Sequence, residues 1–212
     1  MFGSGVIFLK SLRQEKDTLT LTIRLVTKQD AEKILKIYKP IVENSAISFE
    51  LTPPTLVDMQ QRINDLSSHF PWLVGEAEQM LLGYAYASPH RSRAAYQWSV
   101  DVSAYVHPQG RRSGIGRVLY ETLFKILALQ GFYNAYAGIA LPNPASVGFH
   151  EALGFQKVGV YQQVGYKLGE WHDVGWWELA LQARITNPAP PSDMATVQVA
   201  PGWAALFENP VS

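Results

Sequence analysis

Cysteine is missing altogether from this 212-residue chain. That excludes disulfide staples, a thiolate nucleophile and thiolate-bound metal, and it agrees with a reducing compartment, so a cytoplasmic setting is expected. An excess of charge is missing too: 18 Lys and Arg face 18 Asp and Glu. No global field draws the chain to nucleic acid or to an anionic membrane, so neither is expected as a partner, and anion binding has to come from local clusters. Long apolar runs are also lacking. The stretch Val6 to Leu9 is far too short to cross a bilayer, and it has no basic segment before it and no small-residue cleavage site after it. His69, His90, His107 and His172 show no metal-ligand spacing, and no metal is expected.

What is present reads as one globular domain over residues 20–185, with an extension at 1–19 and a proline-rich tail at 186–212. Thr20 to Val26 alternates as a strand, and Asp30 to Glu43 carries Ile34, Ile37, Tyr38 and Ile41 at helical spacing. A second helix is predicted from Thr55 to about Ser68, a hairpin from Trp72–Glu76 and Met80–Ser88 across an acidic turn, and a strand from Trp98 to Val106. Beyond a glycine loop come a helix, a strand at Tyr133–Leu141, a short helix at Asn143–Leu153, and strands near Phe155–Val160 and Asp173–Leu181. Early hairpins followed by alternating strands and helices predict an α/β fold, a mixed central sheet with helices on both faces. The clustered prolines of Asn187–Asp193 cannot form regular structure. The tail beyond, with Trp203 and Phe207, is free either to stay loose or to dock on a partner subunit.

The segment Tyr105-Val-His-Pro-Gln-Gly-Arg-Arg-Ser-Gly-Ile-Gly-Arg117 runs from a strand into an amphipathic helix. Gly114 and Gly116 let backbone N–H groups approach an anion, and the helix start adds unpaired N–H groups and partial positive charge. Arg111, Arg112 and Arg117 add formal charge on the spot. The plainer reading is a glycine-eased turn into a core helix with solvated arginines. A dinucleotide fingerprint fails, because Leu119 stands in place of the third glycine and no Asp or Glu lies between Glu121 and Glu151 to hold a ribose.

Arg-x-x-Gly-x-Gly at Arg111–Gly116, followed by Asn143 opening a short helix that ends Leu153-Gly154-Phe155, resembles the GNAT superfamily of acetyl-CoA-dependent N-acetyltransferases. The resemblance is closest to its phosphinothricin acetyltransferase group. It spans about residues 22–182 and includes Ser48-Phe49, Pro71-Trp-Leu-Val74, Gly83-Tyr-Ala-Tyr86, Arg91-Ser-Arg93, Tyr96, His150-Glu-Ala-Leu-Gly154, Gly165-Tyr166 and Trp171-His-Asp-Val-Gly175. It implies the GNAT fold in a single domain, a homodimer, and direct acetyl transfer from acetyl-CoA to the amine of a small acidic, amino-acid-like acceptor. Ala104, Tyr105 and Val106 would bind the pantetheine arm through their backbone. Arg111, Arg112, Ser113, Gly114, Ile115, Gly116 and Arg117 would cradle the pyrophosphate, with Asn143 beside the cofactor. Asp101 corresponds to a glutamate proposed as general base, and His150 to a residue serving the departing thiolate. Phe49, Arg91, Ser92, Arg93, Tyr96, Val102 and Ser103, together with Asp101, would form the acceptor pocket. Glu50 departs from the pattern, standing where herbicide-detoxifying members are expected to carry a basic residue. Ordinary readings stay open beside these roles: strand pairing for Ala104–Val106, an N-cap for Asn143, a last-turn histidine for His150, and a solvated basic loop for Arg91 and Arg93. Transfer to a protein amine, or an acetyl-CoA-binding module without catalysis, are the alternative functions.

Overall fold

The computed structural model describes residues 11–12 and 19–208; the apolar stretch Val6 to Leu9 lies outside them. A short antiparallel ladder joins β1 (Ser11–Leu12) to β2 (Leu19–Thr20). The main sheet has seven strands: β3 (Thr22–Leu25), β4 (Trp72–Ala77), β5 (Met80–Pro89), β6 (Ser99–Val106), β7 (Asn134–Leu141), β8 (Gln156–Lys167) and β9 (Glu170–Ala180). Their order is β3-β4-β5-β6-β7-β9-β8. Among the described strands of this sheet only β6 and β7 run parallel. The mixed sheet with helices on both faces is the architecture expected from the sequence.

Two cores flank the sheet. Helix α1 (Ala31–Asn44) buries Ile34, Ile37, Tyr38 and Val42, spaced as one helical stripe. With Met59 and Ile63 of α2 (Leu56–Ser67) they cover Trp72, Val74 and Tyr84. Alternation sends Leu73, Ala85, Ala87, Val100 and Val102 to the other face, where Ile115, Leu119, Leu123, Ile126 and Leu127 of α3 (Ile115–Gln130) pack on them. Both predicted helices and the hairpin thus follow from periodicity.

The end of the sheet extends further than its sequence suggests. β8 continues to Lys167 and turns through Leu168 and Gly169, both with φ > 0, directly into β9. Two-residue hairpin turns of this kind usually announce themselves as Asn-Gly or Asp-Gly. Leucine hides this one, and register shifts between Lys157 and Gly159 and between Tyr161 and Gly165 break the alternation as well.

The C-terminal segment folds back onto its own chain. Met194 and Val197 of α5 (Met194–Gln198) and Phe207 of α6 (Ala205–Glu208) are buried in the α3 core. Gln130 donates to the carbonyls of His69 and Ser192 at 2.8 Å each, and the Trp98 indole donates to Ala189 at 2.8 Å. The prolines act as an irregular strap between two anchored points.

Candidate active site

The site begins where two strands part. β6 pairs with β5 along its length, from Val100 opposite Pro89 to Val106 opposite Gly83. On its other edge it meets β7 only at Ser99–Asp101, opposite Asn134–Tyr136. From Val102 onward that edge has no strand neighbour among the described residues, so the backbone of Ala104–Val106 is open to an extended ligand that bonds as an added strand. The cleft so formed is open to solvent and lined by Val102, Ser103, Ala104 and Tyr105 of β6, by Ala137–Ala140 of β7, by Asn143, Ser146 and His150, and by Tyr120 and Ile47.

Next to this open edge lies the loop into α3. Gly114 has φ 85°, a left-handed conformation that leaves space around the turn for an anion. Arg112 shares it at φ 62°. Among the described residues the N–H groups of Arg112, Gly114, Gly116 and Arg117 have no backbone acceptor, and they gather at a helix N-terminus, which favours bound anions. Ser113 stabilises the turn by donating its hydroxyl to Gly110 O at 2.7 Å. Ile115, in contrast, is buried and serves the core. The side chains of Arg111 and Arg112 are exposed, whereas that of Arg117 is committed elsewhere. It pairs with Glu121 at 3.2 Å and donates to Ala152 O at 3.2 Å, joining α3 to the end of α4 (Pro144–Glu151). The open strand edge and the nest of free N–H groups therefore fit the pantetheine and pyrophosphate parts of acetyl-CoA.

Asp101 sits at the last paired position before the strands part. Burial raises the pKa of its carboxyl, and the hydrogen bond from His90 works against that rise. The His90 Nδ1 to Asp101 Oδ1 distance is 2.6 Å. His90 stacks on Tyr136 with ring centroids 4.3 Å apart and meets Trp176 and Tyr96 edge-on, each at 5.9 Å. Its spacing to other histidines carries no signal in the sequence, and its partner is eleven residues away across a turn; only the β5–β6 register brings the two together. Arg91 lies over the Trp176 ring at 5.5 Å and donates to the carbonyl of His90 at 2.8 Å. Ser92 and Arg93 are exposed and have no side-chain partner among the described residues, so the structure does not bring the two arginines together in the same way.

Phe49 lies flat against Gly165, where a Cβ would come within 2.1 Å of its ring. The carboxylate of Glu50 turns away from that wall. It accepts from both terminal nitrogens of Arg62 and from the Tyr38 hydroxyl, so its charge is compensated.

On the α3 side of the cleft, Asn143 caps α4 by accepting from Ser146 N at 3.1 Å. His150, the next-to-last residue of that helix, is 7% exposed. Its Nδ1 lies 2.8 Å from Ser146 O; a carbonyl only accepts, so Nδ1 carries the proton and Nε2 is left to accept from the Tyr120 hydroxyl, 3.2 Å away. Burial lowers the pKa of His150 and raises that of Tyr120. Nothing in the sequence announces a partner for His150, and the structure pairs its imidazole with the Tyr120 hydroxyl.

Residues 23–176 match the family model of the acetyltransferase (GNAT) domain. The chain is 39% identical to phosphinothricin N-acetyltransferase of Streptomyces viridochromogenes over 82% of its own length and 93% of that protein. It is 32% identical to the L-methionine sulfoximine/L-methionine sulfone acetyltransferase of Salmonella typhimurium, covering 80% of this chain and 99% of that one. The crystal structure of a GNAT superfamily phosphinothricin acetyltransferase from Sinorhizobium meliloti in complex with acetyl-CoA superposes with a TM-score of 0.76 at 33% identity, over 80% of this chain and 93% of that one. A parted strand pair beside an anion nest thus stands in an acetyltransferase. The chain belongs to the GNAT acetyltransferase family.

Proposed function

We propose that this enzyme transfers acetyl from acetyl-CoA directly to the amine of a small, acidic, amino-acid-like acceptor of the phosphinothricin, methionine sulfone or methionine sulfoximine type. The observation that carries the reading is the parting of β6 and β7, which opens a cleft between Val102–Tyr105 and Ala137–Ala140. Ala104–Val106 hold the pantetheine arm by backbone hydrogen bonds, and the N–H groups of Arg112–Arg117 hold the pyrophosphate. With the thioester brought to the split, Asp101 stands on the amine's side and the His150–Tyr120 pair on the sulfur's side. Arg91, fixed over Trp176, offers its guanidinium to the acceptor's acid group, and Phe49, Ser92, Arg93, Tyr96, Val102 and Ser103 complete the pocket. Charge-assisted contacts of this kind are worth about 1.5–3 kcal/mol. Support for a small charged acceptor over a protein amine comes from the relatives' substrates and from Arg91 lying beside Asp101.

Thiol release from acetyl-CoA, measured with amino-acid acceptors that bear a second acid group, with their neutral analogues and with peptide N-termini, tests this. Preference for the acidic acceptors, lost in Arg91→Ala through KM for the acceptor but not for acetyl-CoA, is expected. Preference for peptides would overturn it. A homodimer is part of the same proposal, supported by the family resemblance and by exposed Tyr161, Val164, Tyr166, Leu168 and Trp171 along the β8–β9 hairpin.

A further inference from the structure

Direct deprotonation by Asp101 has an energetic difficulty. An ordinary aspartate titrates near 3.9 and a Lys-type ammonium near 10.4, so even an amine of pKa about 8 leaves the transfer uphill by about 10⁴ in its equilibrium constant. Burial raises the Asp101 carboxyl, but its Oδ1 is already engaged by His90 Nδ1 at 2.6 Å, which places the carboxylate to hold a proton donor. Imidazoles as a class lie much closer to the acceptor amines.

We infer that His90 is the group that takes the proton from the acceptor's ammonium, with Asp101 as its positioning partner, an assignment that rests on the proposed acetyl transfer. Three observations carry it. Oδ1 of Asp101 is 2.6 Å from Nδ1 of His90, and an ionised carboxylate only accepts, so Nδ1 carries the proton and Nε2 keeps its lone pair. That Nε2 has no hydrogen bond among the described residues and meets solvent. The ring is held in a box formed by Tyr136, Trp176 and Tyr96, next to the last β6–β7 pair, where the cleft begins. The pattern is that of a base oriented by a third group, in which the carboxylate fixes the tautomer and stabilises the imidazolium.

The proton balance follows. The ammonium gives one proton to Nε2, and the freed nitrogen pair attacks the thioester carbonyl carbon. As the C–N bond is made and the C–S bond broken, the nitrogen's second proton ends on the sulfur of CoA, and the imidazolium returns its proton to water. The groups facing His90 are Asp101 from β6, Tyr136 from β7, Tyr96 and Arg91 from the segment beside it, and the uncharged Trp176 from β9.

The test compares His90→Ala, His90→Gln and Asp101→Asn with the unaltered enzyme, using an acceptor on which that enzyme turns over. His90→Ala should lower kcat about 10²- to 10⁴-fold with acetyl-CoA affinity unchanged, remove the acidic limb of the kcat/KM profile, and recover on addition of imidazole. Glutamine can keep the bond to Asp101 but cannot take a proton, so His90→Gln should fold and stay slow; full activity in that variant would overturn the inference and leave a structural tie. Nitrogen NMR of the free protein should show His90 protonated on Nδ1, and an Nε2–H tautomer would also overturn it. Activity lost in Asp101→Asn but retained in both His90 variants would return the proton to the carboxylate. Failure of the unaltered enzyme to acetylate any amine would instead overturn the proposed function, while the NMR result would still judge the His90–Asp101 pair.

Discussion

Two glycines separated by one residue do different work at the start of α3. Gly114 has open space around its Cβ position but sits at φ 85°. Gly116 has an ordinary helical backbone, and a Cβ there would come within 3.3 Å of the Phe149 ring and 3.5 Å of Val106. Gly114→Ala should therefore cost about 1–2 kcal/mol in folding, the penalty of a left-handed backbone, whereas Gly116→Val should weaken acetyl-CoA binding more than it lowers the melting point. Calorimetric titration beside a melting curve separates the two, and unchanged acetyl-CoA affinity in a folded Gly116→Val protein would refute the nest. Buried His150 supplies a second residue-scale prediction. Its folded pKa lies below the ordinary 6.5, so the unfolded chain binds the proton more readily, and His150 contributes stability that is present above pH 6.5 and lost as the pH falls below it. Replacing it with glutamine should flatten that part of the stability-versus-pH curve, measured by denaturant titration at several pH values; an unchanged slope would place the titrating group elsewhere.

At the scale of elements, the core was legible because periodicity decides it. Ile34, Ile37 and Tyr38 on α1, and Leu119, Leu123, Ile126 and Leu127 on α3, announce their buried faces in any reading of the sequence. The glycine loop was legible for a similar reason, since loop, helix start and arginines are contiguous. What could not be read was long-range register. His90 and Asp101 meet because Ser88 pairs with Asp101 across β5 and β6, and Tyr120 meets His150 because α3 and α4 lie on the same face of the sheet; neither fact has a local signature. The commitment of Arg117 to Glu121 and Ala152 is tertiary in the same sense. Asn143 shows how an element can carry two roles at one residue. Its Oδ1 caps α4, and the residue also lines the cleft. Asn143→Ala should lose about 0.5–2 kcal/mol of stability, while Asn143→Ser, a good cap, should restore the melting point. If the amide also contacts the cofactor, the serine variant will keep a weakened acetyl-CoA affinity; full affinity in it would reduce Asn143 to a cap.

For the whole molecule, the unusual feature is how unevenly apolar surface is covered. The C-terminal strap takes Met194, Val197 and Phe207 into the α3 core, and α1 and α2 close the opposite face near β4 and β5. Among the described residues nothing gives the far edge of the sheet such cover. Along β8 and its turn, Val158, Tyr161, Val164, Tyr166 and Leu168 are each at least half exposed, and Trp171 at the start of β9 is 61% exposed. Clustered aromatic and aliphatic side chains on one hairpin are uncommon on a lone monomer and typical of an interface core. The same hairpin places Gly165 under Phe49, so whatever covers it also bears on the wall of the proposed acceptor pocket. If a second copy covers it, sedimentation at micromolar concentration will give twice the chain mass of 23.7 kDa. The double variant Tyr166→Glu, Trp171→Glu will then sediment as a monomer with its melting transition retained. Because the proposed pocket wall would lose its support, the variant's KM for the acceptor should rise while its affinity for acetyl-CoA, proposed to be held on the far side of the split by β6 and the α3 loop, stays the same. A protein that is monomeric at every concentration, or a dimer indifferent to both substitutions, would assign this hairpin another role.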